Sequence, residues 1–216
     1  MLKLSQLSGF NFGRRGAKHI ATAVTTQAGA GTSVAATVPA GIMAGDLLVA
    51  FISSGGAGSN VSTPSGWNLL DSQFYNGTNR KHYVFWKISN GSETSQTFNT
   101  DTGSQFVVTI SAFREHAGFD SALSKRSNAS SVNIVADSIT PNDSPVILAM
   151  FCTTELMSGS ITAPSGFSVA GQGTLPSNVV TAGVCLKSVD TNAPTGQVTA
   201  TGSAAAVNGA ILCSIK

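Results

Sequence analysis

The sequence has little charge: of its 216 residues, 12 are Lys or Arg and 10 are Asp or Glu, so only 10% are charged. A soluble domain usually carries about a quarter charged residues. This scarcity excludes a coiled coil or a long-helix protein, which needs Glu, Lys, Arg and Leu in bulk. Because 42% of the residues are apolar, the chain also differs from acidic disordered proteins and can form a core.

Cysteine is scarce as well. Cys152, Cys185 and Cys213 lie in apolar segments, with neither paired spacing nor a CxxC motif. We therefore expect neither a disulfide framework nor a zinc site. Buried free thiols in a chain made in a reducing cytoplasm are the simpler interpretation.

Long hydrophobic runs are missing. No window holds about 20 predominantly apolar residues, so no membrane-spanning helix is predicted. The N-terminus lacks the apolar centre of a signal peptide, because polar residues separate Leu2, Leu4 and Leu7. We therefore expect synthesis in the cytoplasm without a signal peptide.

The patterns of common catalytic sites are missing too. His19, His82 and His116 are not at metal-ligand spacing from a Cys or a carboxylate, and the chain has no GxSxG elbow and no GKS or GKT loop. We expect no metal, no cofactor and no enzymatic activity. One alternative is a polysaccharide-degrading enzyme, which needs two carboxylates facing one groove. Glu115 and Asp120 are the candidate pair.

Thr, Val, Ser and Gly are abundant, which is typical of short strands joined by tight turns. Apolar runs at 47–52 and 83–88, the second interrupted only by Lys87, predict central strands. A single helical turn is predicted at 122–125. The predicted strands are 32–38, 46–53, 67–75, 82–89, 95–99, 105–113, 131–139, 145–153, 166–171, 179–188, 195–201 and 206–215.

The chain repeats with an offset of about 100 residues. TPSGW at 63–67 returns as APSGF at 163–167, and YVFWK at 83–87 returns as GVCLK at 183–187. We predict an all-β fold: an antiparallel, jelly-roll-like β-sandwich with a pseudo-twofold internal repeat over half-repeats 32–114 and 131–216. The alternative is two small domains in tandem.

The first 24 residues lie outside the repeat and are predicted to be a docking arm, ahead of a sandwich over 25–216. Residues 1–45 contain four bases and no acid, but without a nucleic-acid motif, so no nucleic-acid partner is expected. Apolar side chains among Ser, Gly and Asn are typical of segments that order on a partner, although a disordered tail is the alternative. The predicted docking residues are Leu4, Leu7, Phe10, Phe12, Arg14 and Arg15.

Aromatic side chains support the hypothesis of a carbohydrate-binding module used in attachment. Aromatic faces pack against the C–H faces of sugars. Phe74, Tyr75 and Trp67 are the candidate glycan contacts, whereas Trp86 lies within an apolar strand and is expected in the core.

Six motifs together resemble a family of tailed-bacteriophage virion proteins: VPAG at 38–41, AGDLLVA at 44–50, TPSGW at 63–67, YVFWK at 83–87, GSE at 91–93 and AFR at 112–114. Members of this family are head-fibre, capsid-decoration or tail-fibre components. The resemblance covers residues 32–216 and implies a non-enzymatic structural protein of the virion, with other capsid or tail proteins as partners. Low charge and many small residues suit surfaces that assemble as homo-oligomers, commonly trimers.

Overall fold

The computed structural model of the protein describes residues 16–55, 59–76, 80–155, 159–175 and 180–216. These residues form eleven β-strands and no helix, and the strands make two antiparallel sheets. The all-β antiparallel sandwich predicted from the sequence is confirmed. The six predicted docking residues lie outside the described residues.

The first sheet contains the strands of the first half of the chain. They are β1 (Lys18–Thr37), β2 (Ala44–Ser54), β3 (Asn68–Asn76), β4 (Arg80–Asn90) and β5 (Ser95–Arg114). Their spatial order is β1-β5-β2-β4-β3. The longest strand pair is the ribbon of β1 and β5, which runs antiparallel from Lys18 opposite Arg114 to Thr37 opposite Ser95.

The second sheet contains the strands of the second half. They are β6 (Phe119–Ala136), β7 (Val146–Thr154), β8 (Ile161–Thr162), β9 (Ser168–Thr174), β10 (Thr181–Val189) and β11 (Val198–Ile215). The order is β6-β11-β7-β10-β9, with β8 paired to β11, and it matches the first sheet strand for strand. Because each sheet takes its strands from one half, this order does not establish jelly-roll connectivity, which stays a prediction.

In each half, a ribbon of two long paired strands, β1 with β5 and β6 with β11, folds back on itself. The backbone N–H of Thr37 donates to Oγ1 of Thr25 at 3.0 Å, although both residues belong to β1. A straight strand would separate them by about 40 Å. In β6, Ser124 Oγ likewise donates to the carbonyl of Asp137 at 2.6 Å, just beyond the strand end. The far end of each ribbon therefore covers the outer face of its own sheet.

This covering explains why the central strands are apolar on both faces. In β2, Leu47, Val49 and Phe51 pack in a cluster between the two sheets. The alternate residues of β2 pack outward, beneath the folded ribbon: Leu48, Ala50 and Ile52 share a cluster with Val34 and Phe98. A strand buried on both faces has no polar alternation, which matches the continuous apolar run at 47–52.

Counterpart residues of the two halves meet at the centre of the sandwich. The ring centres of Phe51 and Phe151 lie 5.4 Å apart, and the hydroxyl oxygens of Ser53 and Thr153 are 2.7 Å apart. The inter-sheet cluster draws apolar residues from both halves. The two halves therefore share one core, contrary to the alternative of separate tandem domains.

The sheets also touch along their edges, where β1 contacts β9. A Cβ added at Gly173 of β9 would lie 2.8 Å from Thr26 Cγ2 and 2.9 Å from Val24 Cγ1. A Cβ at Gly171 would lie 2.7 Å from Thr22 Cγ2. Glycine lets the two backbones approach at this corner of the sandwich.

Four local predictions were wrong. The segment 122–125, predicted as a helical turn, lies within β6. Residues 18–24, assigned to the docking arm, belong to β1, which begins at Lys18. The segments 95–99 and 105–113, predicted as separate strands, form one bent strand, β5. The segments 195–201 and 206–215, also predicted as separate strands, are joined in β11. In each case long-range pairing, such as that of Val24 with Thr109, decides the conformation of a weakly patterned segment.

Candidate functional site

Two of the three predicted glycan contacts are buried, so the expectation that they form an exposed surface was wrong for them. Tyr75 is 2% exposed and stacks on the ring of His82 at 5.5 Å, inside the sandwich. Trp67 is 5% exposed, and its Nε1 donates to Oε1 of Gln96 at 2.8 Å.

The third predicted contact, Phe74, is exposed. Its side chain is 38% accessible, and the ammonium of Lys81 lies 5.0 Å from the ring centre. Trp86, expected in the core, is partly buried, and its ring packs edge-to-face with that of Phe119, with the ring centres 6.0 Å apart. Of the predicted aromatic surface, Phe74 alone is therefore left as a candidate.

The structure contains a concave surface that the sequence did not indicate, in the second half of the chain around Phe167 and Lys187. One part, here called the proline hollow, has a volume of about 420 Å³ and three proline walls, Pro141, Pro164 and Pro194. The adjoining histidine hollow has a volume of about 620 Å³ and includes His19 and Lys18. Phe167 and Lys187 line both hollows, and the Lys187 ammonium lies 5.8 Å from the Phe167 ring centre.

The counterpart position in the first half is filled by larger side chains. Trp67 corresponds to Phe167 in the repeated PSG motif, and it packs edge-on against Phe98 at 5.6 Å. Strand pairing places Phe98 opposite Val34 in the first ribbon and Ala200 opposite Ile134 in the second. Where the first half has the two rings of Trp67 and Phe98, the second half therefore has the smaller ring of Phe167 and the methyl group of Ala200.

The lysines of the two halves also differ in their partners. In the first half, Lys87 Nζ lies 2.8 Å from Oε1 of Glu93. Burial alone would raise the pKa of Glu93, but hydrogen bonds from Lys87, the Asn90 backbone and Ser89 lower it to about 2. In the second half, no carboxylate of the described residues forms an ion pair with Lys187.

Both hollows have a basic lining. Their ionisable residues are Lys18, His19 and Lys187, and no Asp or Glu is among the lining residues of either hollow. Burial lowers the pKa of His19, so at neutral pH the two lysines supply the positive charge. Hydroxyl and amide side chains complete the proline hollow: Ser165, Thr191, Thr195, Thr199 and Gln197.

Most of the carboxylates are engaged in structural contacts. Eight of the ten contact a named side chain: Asp46 with Arg114, Asp71 with Lys125, Glu93 with Lys87, Asp101 with Asn60, Asp120 with Asn142, Asp137 with Arg126, Asp143 with Lys216, and Glu155 with Arg80. Asp120, named above as half of a catalytic pair with Glu115, is buried and accepts hydrogen bonds from the Asn142 side chain and backbone. Neither Asp120 nor Glu115 lines the two hollows.

Among the described residues, His82 is a buried ionisable side chain without a polar partner. Both ring nitrogens of His82 lack a hydrogen-bond partner within the part of the chain that the structure describes. The imidazole lies 5.5 Å from the rings of Phe51 and Tyr75. Burial, with a smaller contribution from the charge of Lys125, lowers the pKa of His82 to about 3. His82 is therefore neutral at physiological pH.

The three cysteines are buried free thiols, as expected. Burial raises the pKa of Cys213 to about 12, which makes it a poor nucleophile. Among the described residues, no three His, Cys, Asp or Glu side chains form a group that could hold a metal ion. Within the same residues, no helix has the length and apolar character needed to cross a membrane.

Comparison of the chain with family models, with curated proteins and with solved structures finds no match.

Proposed function

We propose that the protein is a non-enzymatic structural component of a tailed-phage virion, either a capsid decoration or head fibre or a tail-associated protein. In this proposal the N-terminal arm docks on other virion proteins and the sandwich is displayed outward. The proposal is supported by one observation: the motifs that resemble the virion family contact one another and hold the fold together.

The contact between the AGDLLVA and AFR motifs is the clearest case. Asp46 of the first motif accepts hydrogen bonds from Nε and Nη2 of Arg114 of the second at 2.8 and 2.7 Å. The same carboxylate accepts the backbone N–H of Met43 at 2.7 Å, which ties the turn before β2 to the end of β5. The pKa of Asp46 is lowered, first by the Arg114 hydrogen bonds.

Two further contacts involve the other motifs. Lys87 of YVFWK pairs with Glu93 of GSE at 2.8 Å, and Trp67 of TPSGW donates to Gln96 at 2.8 Å. These motif residues therefore have structural roles, in keeping with the proposal of a structural protein. Eight of the ten carboxylates make similar contacts, which also favours a structural role for the charged residues.

The test is the composition of purified particles of the phage that encodes the chain. Mass spectrometry and electron microscopy are expected to find the protein in the particle at a fixed copy number per virion. That copy number would distinguish decoration from fibre. Absence of the chain from purified particles would overturn the proposal.

The docking role of the arm has its own test. A variant with Leu4, Leu7, Phe10 and Phe12 changed to Ser is expected to fold but to be lost from particles. The matched control changes four exposed apolar residues of the sandwich to Ser: Met43, Leu69, Ile88 and Val132. Equal incorporation of the two variants would contradict docking through the arm.

We also propose that the protein assembles as a homo-oligomer, commonly a trimer in proteins of this kind. Light scattering on the purified full chain measures the mass directly, and a monomer at micromolar concentration would contradict this part of the proposal.

A second candidate function is attachment to the host through carbohydrate. It is favoured by the two hollows around Phe167 and Lys187, which combine an aromatic ring, a cation and several hydroxyl groups on one open surface.

A further inference from the structure

We propose that the two hollows form a binding site for an acidic oligosaccharide, in which Lys187 binds a sugar carboxylate and Phe167 packs against the C–H face of a sugar ring. This inference rests on the second candidate function, carbohydrate attachment. It assigns that function to a surface distinct from Phe74, Tyr75 and Trp67, and it specifies the charge of the ligand.

The shape fits a carbohydrate chain. The proline hollow, at about 420 Å³, is within the usual size of small-ligand sites. Its proline walls are stiff, because each proline ring fixes its own backbone φ angle. The histidine hollow shares Phe167 and Lys187 with the proline hollow, so an extended ligand that occupies both hollows can contact both residues.

The positive charge of the residues that line the two hollows favours a negatively charged ligand. Lys18 and Lys187 face the hollows, and no lining residue carries a carboxylate. Such a surface attracts negative charge and repels a basic ligand. A carboxylate on a sugar ring is a suitable partner, because an ammonium group forms short, charge-assisted hydrogen bonds with carboxylate oxygens.

The comparison of the halves shows why Lys187, and not Lys87, is available to a ligand. Lys87 is already paired with Glu93 at 2.8 Å, beside a buried Trp67. No carboxylate of the described second half pairs with Lys187, and the neighbouring Phe167 is only partly buried. At this position the second half thus combines an available cation with an accessible aromatic ring, whereas the corresponding Lys87 is paired and the corresponding Trp67 is buried.

The remaining lining favours a sugar over a nucleic acid. Nucleic-acid sites neutralise several phosphates with clustered Lys and Arg. Here two lysines are accompanied by uncharged groups, chiefly Thr191, Thr195 and Gln197, which can exchange hydrogen bonds with sugar hydroxyls. The surface therefore matches a ligand with many hydroxyls and widely spaced negative charges.

The experiment is calorimetric titration of the full chain with four probes: tetragalacturonate, tetrasialic acid, uncharged maltotetraose and a short single-stranded oligonucleotide. At least one acidic sugar is expected to bind roughly tenfold more tightly than maltotetraose, and its affinity is expected to fall with added salt. The two acidic probes distinguish a uronic acid from a sialic acid as the source of the carboxylate.

Variants locate the site. Lys187→Gln is expected to weaken binding of the acidic probe by roughly tenfold and to remove its preference over maltotetraose. Phe167→Leu is expected to weaken binding of acidic and neutral sugars alike. The matched controls are Lys81→Gln and Phe74→Leu, which alter the other exposed lysine–phenylalanine pair and are expected to leave binding unchanged. Circular dichroism confirms that each variant is folded.

The outcomes separate this inference from the function on which it rests. No binding of any sugar would overturn both. Equal binding of maltotetraose and the acidic probes would overturn the acidic ligand alone. Loss of binding in the Phe74 and Lys81 variants, with none in the Phe167 and Lys187 variants, would overturn the assigned site. Tighter binding of the oligonucleotide than of every sugar would overturn the carbohydrate class.

Discussion

Lowering the pH from 7 to 5 is expected to destabilise the protein through one buried side chain, His82. Its pKa is about 3 in the folded protein, against an ordinary value of 6.5. In this pH range the unfolded chain takes up a proton at His82 and the folded chain does not. Linkage therefore lowers the free energy of unfolding as the pH falls through 6.5, and the loss continues until the folded pKa near 3.

The size of the effect follows from the two pKa values. Between pH 7 and pH 5, protonation of the unfolded chain at His82 removes about 2 kcal/mol of stability. For a domain of this size that corresponds to a fall of about 4–8 °C in Tm. This range avoids the carboxylates with lowered pKa, such as Glu93, whose contribution to stability is lost mainly below pH 5.

The assay is urea unfolding of the wild-type chain and of His82→Phe at both pH values. Phe removes the titrating group and both unpartnered nitrogens while keeping a ring between Phe51 and Tyr75, so most of the pH dependence is expected to disappear. His82→Leu serves the same purpose if the larger ring does not fit. A small remainder is expected from His19, whose pKa is also lowered by burial.

The control is His116→Gln, which removes an imidazole that bonds the Gly45 carbonyl near the surface. This variant is expected to keep the loss of stability that depends on His82. If the His82 variants retain the full wild-type loss between pH 7 and pH 5, the assignment of the effect to this residue is refuted.

Three further predictions concern side chains that hold the sandwich together, each measured by urea unfolding at pH 7. Arg114→Leu leaves the buried carboxylate of Asp46 without its main partner and is expected to cost about 2–3 kcal/mol, whereas an unchanged midpoint would mean that the pair is not stabilising. Gln96→Ala leaves Nε1 of Trp67 without its partner and is expected to cost about 1–2 kcal/mol; no loss would show that water replaces the amide. Gly173→Val forces a side chain against β1 and is expected to cost about 1–3 kcal/mol, and a stable variant would show that the sheets can separate at this corner.

The candidate site was the part least accessible to sequence reasoning. Trp67 and Tyr75 were predicted as exposed aromatics, yet both are buried because strands from elsewhere in the chain cover them. The proline hollow around Phe167 is lined by side chains from distant parts of the chain, from Pro141 to Thr199. The one usable sign was the change from Trp67 to Phe167 within the repeated PSG motif.

Local sequence was sufficient to predict the fold class and most strands. β2, β4 and β7 each contain an apolar run, and this pattern depends only on neighbours along the chain. Tertiary structure alone decided the bends in β1 and β6 and the formation of the two hollows around Phe167 and Lys187. The physical reason is that side-chain alternation specifies that a segment is a strand, whereas its partner strands specify what lies above each face.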